Sequence, residues 1–459
     1  MNTNKDTIAA ISTPIGEGGI GIVRLSGQLS FNIVDKIFVS STGNKLKSFL
    51  SHTVHYGTIE NSGEVIDEVL ITVMRAPKTY TTEDMIEINC HGGISCIKKV
   101  LEICLENGAR LAEPGEFTKR AFLSGRIDLA KAEAVLEIIQ SETDAARGMA
   151  IEHLRGDFSK TIYGIRDSVL DILSRIELEI DFSQEDVDFS SHNKIYDSLR
   201  KINKETENLI ETYSKGLVLR EGVEVVICGK PNVGKSSLMN ALLKHDRVIV
   251  TPIAGTTRDV IEENINIGGI KVRVSDTAGI IETKDRVEIE GIKRSKKKLD
   301  SADIILFMLD YSKALSGQDK DIYEMVKDKK VIVLINKTDL AKRIDLKSFE
   351  NENSIKEGIK ISVLKKTGIE KIEDEILKRI YNERMNVPEG PVVSNIRHKR
   401  VLEDMRSVLA RVLGSEESYN PELLASDLNE VIFLLGLITG ESCDDEVLDR
   451  IFSQFCIGK

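Results

Sequence analysis

Apolar positions recur along this chain in two periods, and the changes between them mark its parts. Within residues 1–118, Ile20–Leu25 and Glu68–Val73 read as strands, and Ile94–Leu105 has the 3–4 spacing of an amphipathic helix. From about Pro114 helical spacing takes over. Asp128-Leu-Ala-Lys-Ala-Glu-Ala-Val-Leu-Glu-Ile-Ile139 is built of strong helix formers, and Ile162, Ile165, Val169, Ile172, Ile176 and Ile180 line one face. An acidic break, Asp181 to Asp188, leads to a further helix holding Ile195, Leu199, Ile202, Leu209 and Ile210. Strands and helices then alternate: the apolar run Val225–Cys228, the helical Ser237–Leu243, the alternating Ile270, Val272 and Val274, and the apolar run Val331–Ile335. Helical spacing returns with Val401, Leu402, Met405, Val408, Leu409 and Val412. It continues through Leu424, Leu428, Val431, Ile432 and Leu435, and ends with Val447, Leu448, Ile451, Phe452 and Phe455.

The alternating stretch carries the chemistry. Gly229-Lys-Pro-Asn-Val-Gly-Lys-Ser236 fits G-x-x-x-x-G-K-[ST] between a strand and a helix, as a phosphate loop requires. Its glycines let backbone N–H groups turn toward phosphate oxygens at a helix N-terminus. Lys235 is placed to reach the outer phosphates and the Ser236 hydroxyl to ligate Mg²⁺. Asp276-Thr-Ala-Gly279 ends the next strand, where Asp276 can hold Mg²⁺ through water and the Gly279 amide can sense a terminal phosphate. Asn336-Lys-Thr-Asp339 follows the Val331–Ile335 strand. The Asp339 carboxylate can accept from both the ring N–H and the exocyclic amine of guanine, a pair adenine does not offer. Ser362, in Ile361-Ser-Val-Leu-Lys-Lys-Thr-Gly368, is expected near the other side of the base. The ordered set is that of a Ras-like GTPase. Where such enzymes place a water-orienting glutamine, this chain has Ile280. Either the domain hydrolyses poorly, or another group does that work. Asn232, with carbonyls of the segment Thr251-Pro-Ile-Ala-Gly-Thr-Thr-Arg-Asp259, is one source of charge stabilisation through a bound monovalent cation; a turn residue after proline is the other reading of Asn232. Thr257 is the expected second Mg²⁺ ligand.

The expected fold is multidomain, α/β and all-α. A Ras-like P-loop GTPase domain (221–381) is inserted into a helical domain (119–220 and 382–459), preceded by an α+β domain (1–118). Insertion follows because a doubly wound sheet starts its first strand and ends its last helix away from the nucleotide face; two separate helical appendages are the alternative. A length of 459 residues suits three domains. A net charge of −11 argues against a nucleic-acid clamp over the whole surface but leaves local basic patches open. The six cysteines show no C-x-x-C and no Cys/His metal spacing, which fits buried thiols in a reducing cytosol. No signal peptide and no membrane-length apolar run is present, since the longest, Val431–Ile438, is far short of a span. A cytoplasmic location is expected. Gly16, Gly18 and Gly21 spell G-x-G-x-x-G, but a strand-like run follows where a dinucleotide site needs a helix, so they read as a turn.

Several longer matches narrow the class. The loop Gly229-Lys-Pro-Asn-Val-Gly-Lys-Ser-Ser237, the Gly255-Thr-Thr-Arg-Asp259 segment, Val287-Glu-Ile-Glu-Gly-Ile-Lys-Arg-Ser295 and the terminal Phe455-Cys-Ile-Gly-Lys459 resemble the MnmE (TrmE) family of bacterial tRNA modification GTPases. Thr13 to Gly27, Cys90-His-Gly-Gly93 and Glu113 to Leu123 match it as well, so the resemblance covers the whole chain.

That resemblance implies a homodimer through the N-terminal domain and a flavoprotein partner, MnmG (GidA), in a heterotetramer. Together they would add an aminomethyl or carboxymethylaminomethyl group to C5 of the wobble uridine of certain tRNAs. It implies a one-carbon donor, 5-formyl- or methylene-tetrahydrofolate, bound through Arg24, Glu87, Arg126 and Lys459, each of which alone reads equally as a surface ion-pair residue. It makes Glu288 the group that activates water, and Asn232, Thr251, Ile253 and Thr256 the K⁺ ligands. Nucleotide contacts are implied for Asn232, Val233, Gly234, Lys235, Ser236 and Ser237, and for Thr251, Pro252, Ile253, Ala254, Gly255, Thr256 and Thr257. The same holds for Asp276, Thr277, Ala278 and Gly279, and for Asn336, Lys337, Asp339 and Ser362. Asn232, Lys235 and Glu288 would serve catalysis, with Cys456 at the tRNA-modifying end. Two positions depart from the family: Ile281, where some members carry arginine, and Val363, where alanine is usual. Two rival readings remain at this level, a ribosome-assembly GTPase acting as a nucleotide-gated RNA-binding module, and a GTP-sensing scaffold with negligible turnover. The first should bring an RNA-binding domain, and this chain brings a glycine-turn α/β domain instead.

Overall fold

The computed structural model describes residues 6–181, 192–245, 262–276, 298–346, 358–385 and 390–459. Its strands are β1 (Ile8–Ile11), β2 (Gly21–Ser26), β3 (Phe38–Ser40), β4 (Thr53–Asn61), β5 (Glu64–Met74), β6 (Met85–Cys90), β7 (Arg110–Leu111), β8 (Val223–Cys228), β9 (Glu262–Ile267), β10 (Ile270–Asp276), β11 (Ile304–Asp310), β12 (Val331–Asn336) and β13 (Ile359–Lys360). Its helices are α1 (Ser30–Ile37), α2 (Ile94–Glu106), α3 (Glu116–Leu123), α4 (Leu129–Gln140), α5 (Asp144–Arg155), α6 (Asp157–Asp181), α7 (His192–Glu221), α8 (Lys235–His245), α9 (Gly317–Val326), α10 (Ile369–Ile380), α11 (Ile396–Gly414), α12 (Pro421–Thr439) and α13 (Asp445–Phe452). Contacts divide the chain into two units, Met1–Leu136 with Leu154–Arg166 and Ile432–Lys459, and Glu137–His153 with Asp167–Val431.

The first unit is built on a sheet of order β3-β4-β5-β6-β2-β1-β7. Its neighbours pair antiparallel except β1 with β7. Ser62 and Gly63, both at positive φ (54° and 86°), form the two-residue turn between β4 and β5, where a twisted hairpin favours that backbone. Apolar residues of α1 and α2 (Ile33, Val34, Val100 and Ile103) pack with Val23, Ile71 and Ile88 of the sheet to form its core. Gly16, Gly18 and Gly21 open no helix: Gly16 and Gly18 lie in the irregular stretch before β2, as read from the sequence, whereas Gly21 is the first residue of β2 itself and not part of a turn. A smaller core joins Leu129, Ala132 and Leu136 of α4 to Leu448 and Phe452 of α13 and to Phe455.

In the second unit the sheet runs β13-β12-β11-β8-β10-β9, parallel except for β9. Every residue of β11 and β12 is buried, as expected of central strands covered on both faces. One face packs on Leu238 and Leu242 of α8 and Ile372 and Ile376 of α10; the other packs on Ile322, Tyr323 and Val326 of α9. The long α7 and α11 pack together, with Leu199, Ile202 and Leu209 buried on one and Leu402, Met405 and Leu409 on the other. Gly216 lets α7 approach the Val392–Ser394 segment, because a Cβ there would lie 2.1 Å from the Val393 carbonyl oxygen. His153 of α5 is buried with Nδ1 3.0 Å from Glu137 Oε2 and Nε2 2.7 Å from the Val392 carbonyl. Burial alone would lower its pKa, but the Glu137 carboxylate and the Val392 carbonyl both favour the protonated ring, and its pKa is raised.

Candidate functional site

The strand order reverses at β8, which has β11 on one side and β10 on the other. In an open parallel sheet, such a switch point leaves a crevice outside the carboxyl ends of the strands. Residues 229–234 form the loop between β8 and α8 at that end. Gly229 (φ 145°) and Gly234 (φ 108°) hold backbone shapes that side chains rarely adopt. A Cβ on Gly234 would sit 2.5 Å from Asn336 Nδ2, and one on Gly229 would sit 2.5 Å from the Met308 carbonyl. Only glycine fits either place.

Lys235 folds back over the loop, donating from Nζ to the carbonyls of Gly229 (2.9 Å) and Lys230 (3.0 Å). Burial lowers its pKa, an unfavourable setting for an ammonium that an anion in the loop would relieve. At the head of α8, Ser236 Oγ donates to Asp276 Oδ2 at 2.9 Å. Asp276 Oδ1 is buried without a hydrogen-bonding partner among the described residues. A hydroxyl and a carboxylate meeting beside a phosphate loop, with one oxygen unsatisfied, fit a hard cation such as Mg²⁺. Asn232 has a positive φ of 63°, and its carbonyl accepts from Lys337 Nζ at 2.8 Å.

The second wall comes from the ends of β12 and β13. Asn336, buried at the end of β12, donates from Nδ2 to the Val233 carbonyl (2.8 Å) and accepts through Oδ1 from the Val363 N–H (3.1 Å). One amide thus ties the phosphate loop to the loop that carries Ser362. Val363, the larger residue at a position where alanine was expected, keeps that N–H in use. Asp339 Oδ1 accepts from Ser362 Oγ at 2.5 Å, and that bond holds the Asp339 carboxyl below its ordinary range. Gly234, Ser237, Asn240, Asn336, Asp339 and Val363 are among the residues lining a cleft of about 520 Å³ between these walls.

Asp310, which the sequence reading passed over, belongs to the same construction. It ends β11, takes the Lys337 ammonium on Oδ2 at 2.7 Å, and accepts from the Ser312 N–H (2.9 Å) and hydroxyl (2.7 Å) on Oδ1. Burial works to raise its pKa, but these contacts outweigh it and the group stays ionised. The available signal was an aspartate closing an otherwise apolar strand, Ile304–Leu309, at the same end as Asp276 and Asn336. Thr251, Pro252, Ile253, Ala254, Gly255, Thr256 and Thr257 lie outside the described residues, as do Thr277, Ala278, Gly279, Ile280, Ile281 and Glu288.

In the first unit, Arg24 of β2 and Glu87 of β6 are register partners, and Arg24 Nε donates to Glu87 Oε1 at 2.8 Å. Arg24 Nη1 also reaches the Gly458 carbonyl at 3.2 Å, so the C-terminal segment joins this pair. That segment is anchored by the Phe117 N–H to the Lys459 carbonyl (3.2 Å) and by the Gly115 N–H to the Cys456 carbonyl (3.4 Å). Gly458 (φ 94°) lies so close to β1 that a Cβ would meet the Ile11 carbonyl at 2.3 Å. Cys456 is exposed. Arg126 makes its contacts in another place, donating to the Tyr80 carbonyl at 3.0 Å and lying over the Tyr80 ring, where both residues line a cleft of about 570 Å³. Cys90, Cys104 and Cys228 are buried, and Cys96 and Cys443 are half-buried.

A doubly wound sheet with a phosphate loop at its switch point, a Ser–Asp pair beside it and Asn336-Lys-Thr-Asp339 across the cleft defines a guanine-nucleotide-binding P-loop protein. Comparison with known sequences narrows this class. Residues 7–126 match the family described as GTP-binding protein TrmE N-terminus, and residues 129–456 match the MnmE helical domain. The tRNA modification GTPase MnmE of Alkaliphilus metalliredigens is 46% identical over 99% of this chain and 99% of its own length. Those of Geobacillus kaustophilus (44%, 100% of each) and Staphylococcus aureus (45%, 99% of each) are similarly related. The chain belongs to the MnmE family of tRNA modification GTPases, and by that membership it is a GTPase. No described helix is long and apolar enough to cross a membrane.

The Ser362–Asp339 contact generates a test of base choice. Asp339→Asn replaces a double acceptor with an amide that mismatches guanine, and losing the partners of buried polar groups costs roughly 10⁴-fold in such discrimination. GTP should bind that much more weakly in equilibrium titration, while xanthosine triphosphate gains. Unchanged GTP affinity would remove Asp339 from the base site.

Proposed function

We propose that this chain hydrolyses GTP at the loop 229–236 and couples it to tRNA modification. With a flavoprotein partner of the MnmG (GidA) type, it adds an aminomethyl or carboxymethylaminomethyl group to C5 of the wobble uridine, position 34, of certain tRNAs. The supporting observation is the pair of hydrogen bonds from Asn336 and Lys337 to the phosphate loop, beside the Ser362–Asp339 contact. That arrangement suits guanine recognition, and kinship over the full length with proteins named tRNA modification GTPase supplies the substrate class. The domain limits in this reading are 1–118, 119–220 with 382–459, and 221–381. The protein acts in the cytoplasm as a homodimer joined by its N-terminal domain, and as a heterotetramer with its partner.

Lys235 binds the outer phosphates by giving up its carbonyl partners. Ser236, Asp276 and Thr257 would hold Mg²⁺, which supplies charge neutralisation between the phosphates. Asn232, with oxygens of Thr251, Ile253 and Thr256, would hold K⁺, which supplies positive charge where other GTPases use arginine. Glu288 orients the attacking water through an intervening one. Arg24 and Glu87, with Lys459 and Arg126, bind the folate donor: basic groups suit its carboxylate tail, and a carboxylate suits the donor-rich pterin. Cys456 stands exposed in the segment that Arg24 reaches, at the modifying end.

Three outcomes are expected. Nucleosides from tRNA of cells lacking this protein should lose the C5 modification of the wobble uridine; an unchanged nucleoside profile would refute the tRNA reading. Single-turnover hydrolysis should run well above the sodium rate in potassium at equal ionic strength. Asn232→Ala should remove most of that difference and Glu288→Ala should slow turnover while GTP still binds, each by about 10²–10³-fold, the usual cost of one such electrostatic group. Equal rates in both salts would end the cation mechanism. Finally, Arg24→Ala with Arg126→Ala should weaken binding of 5-formyl-tetrahydrofolate at least about tenfold by calorimetry, since one charge-assisted hydrogen bond contributes about 1.5–3 kcal/mol. Unaltered folate affinity in the double variant would show that the N-terminal domain has been misread.

A further inference from the structure

A second cluster of chemically able side chains lies in the first unit, in none of the roles above. Cys90 ends β6, Cys96 sits in the first turn of α2, and Asp67 lies on β5. One Asp67 carboxylate oxygen and the two thiol sulfurs all lie within 4.8 Å of one another. Cys96 Sγ donates to Asp67 Oδ2 at 3.0 Å, and Cys90 Sγ donates to the Gly21 carbonyl at 3.3 Å. His91 completes the group: its N–H donates to Asp67 Oδ2 at 2.8 Å, and its Nδ1 lies 2.6 Å from Asp67 Oδ1. The cluster is sheltered, with Cys90 buried and the Asp67 side chain only 10% exposed, while the His91 ring is 72% exposed and marks the side open to water.

We propose that Cys90, Cys96 and Asp67 form a binding site for one Zn²⁺ ion, with His91 orienting the carboxylate and a water filling the fourth position. Tetrahedral zinc has Zn–S near 2.3 Å and Zn–O near 2.1 Å, which sets donor-to-donor edges of about 3.5–3.8 Å. Cys96 Sγ and Asp67 Oδ2, now at 3.0 Å, must open by roughly 0.5 Å, and donors no more than 4.8 Å apart must close by at most about 1.3 Å to reach those edges. Two thiolates select zinc over the Mg²⁺ of the phosphate loop, which takes oxygen ligands. A histidine on the far oxygen of a ligating carboxylate is the kind of outer partner that fixes a ligand's direction. On binding, both thiol protons leave to solvent, two Zn–S bonds and one Zn–O bond form, and no oxidation state changes.

The competing chemistry for two neighbouring thiols is a disulfide. Here the Cys96 thiol donates to Asp67 and the Cys90 thiol to the Gly21 carbonyl, so each sulfur is already turned to an oxygen acceptor and not to its neighbour. A bound dication is favoured by the same negative carboxylate. The chain spacing Cys90-x₅-Cys96 does not announce such a site, because the carboxylate arrives from β5, 23 residues before Cys90. An ion here would tie β5, β6 and α2 together at the glycine turn before β2.

The test is cobalt substitution in the full-length protein, purified reduced and freed of metal by chelation. Co²⁺ should give one equivalent of thiolate-to-cobalt charge-transfer absorption with the visible bands of a tetrahedral site, and Zn²⁺ should bleach both. Oxygen-ligated Mg²⁺ sites give no such band, so failure of the GTPase reading would leave this result untouched. Cys96→Ser should lose most of the charge-transfer intensity, while Cys443→Ser should keep it. His91→Ala, which changes an exposed ring and leaves the core alone, should lower metal affinity about 10–100-fold, the usual cost of losing an outer-shell partner. Absence of the band in the folded wild-type protein overturns the proposal. So does an undiminished band in Cys96→Ser. Should Cys96→Ser prove unfolded by circular dichroism, the His91→Ala affinity decides, and an unchanged value rejects the site.

Discussion

Two hydrogen bonds hold the nucleotide cleft together: Asn336 to the Val233 carbonyl and Lys337 to the Asn232 carbonyl. They fasten the loop after β8 to the loop after β12, two segments separated in sequence by about a hundred residues. A neutral bond of this kind is worth about 0.5–1.5 kcal/mol net, and one to a charged group about 1.5–3. The larger effect is what their loss exposes, since Asn336 is buried and would keep an unpaired amide. Asp310 completes the device by fixing the Lys337 ammonium that donates to the loop. Without these contacts Gly234 would lose the Asn336 amide it turns against.

The sheet makes the device possible. β8, β10, β11 and β12 end at one edge of a parallel sheet, so Gly229, Asp276, Asp310 and Asn336 emerge side by side. Complete burial of β11 and β12 leaves their terminal polar residues as the first groups at the crevice. A loop on a rigid sheet keeps its donors aimed before the ligand arrives, and that preorganisation is what phosphate chemistry most needs.

The first unit solves a different problem, that of placing the last residues of the chain. Phe455 is buried with Leu448 and Phe452 of α13, and the segment after it runs against β1, Gly115 and Phe117. Arg24 therefore bonds at once to Glu87, its partner across the sheet, and to Gly458, 434 residues further on. A left-handed glycine at 458 and close backbone contacts fix the exposed Cys456 in a defined loop.

Much of this was legible in the chain. The 3–4 spacing of isoleucines in α6 and the leucines and valines of α11 specified helices, because one helical face must be buried. The motif at 229–236 announced itself because backbone contact with phosphate admits few residue types at fixed spacing. That Gly16, Gly18 and Gly21 open no dinucleotide helix also followed from sequence, since a strand pattern came next; that the strand already begins at Gly21 did not. Asp310 was not legible, because an aspartate ending an apolar strand has many possible partners and sequence does not say that Lys337 is one. The grouping of Asp67, Cys90, His91 and Cys96 was equally hidden: it needs β5 and β6 to lie in one sheet with α2 starting at its edge. Arg24, Glu87 and Arg126 show the division most plainly. A single family resemblance named all three, yet cross-strand register brought the first two into contact, while Arg126, after α3, lies against Tyr80 in the loop between β5 and β6. Local pattern determined the elements and the phosphate loop, whose requirements are met within a few consecutive residues. Contacts between distant residues depended on strand order and register, which only the folded chain decides.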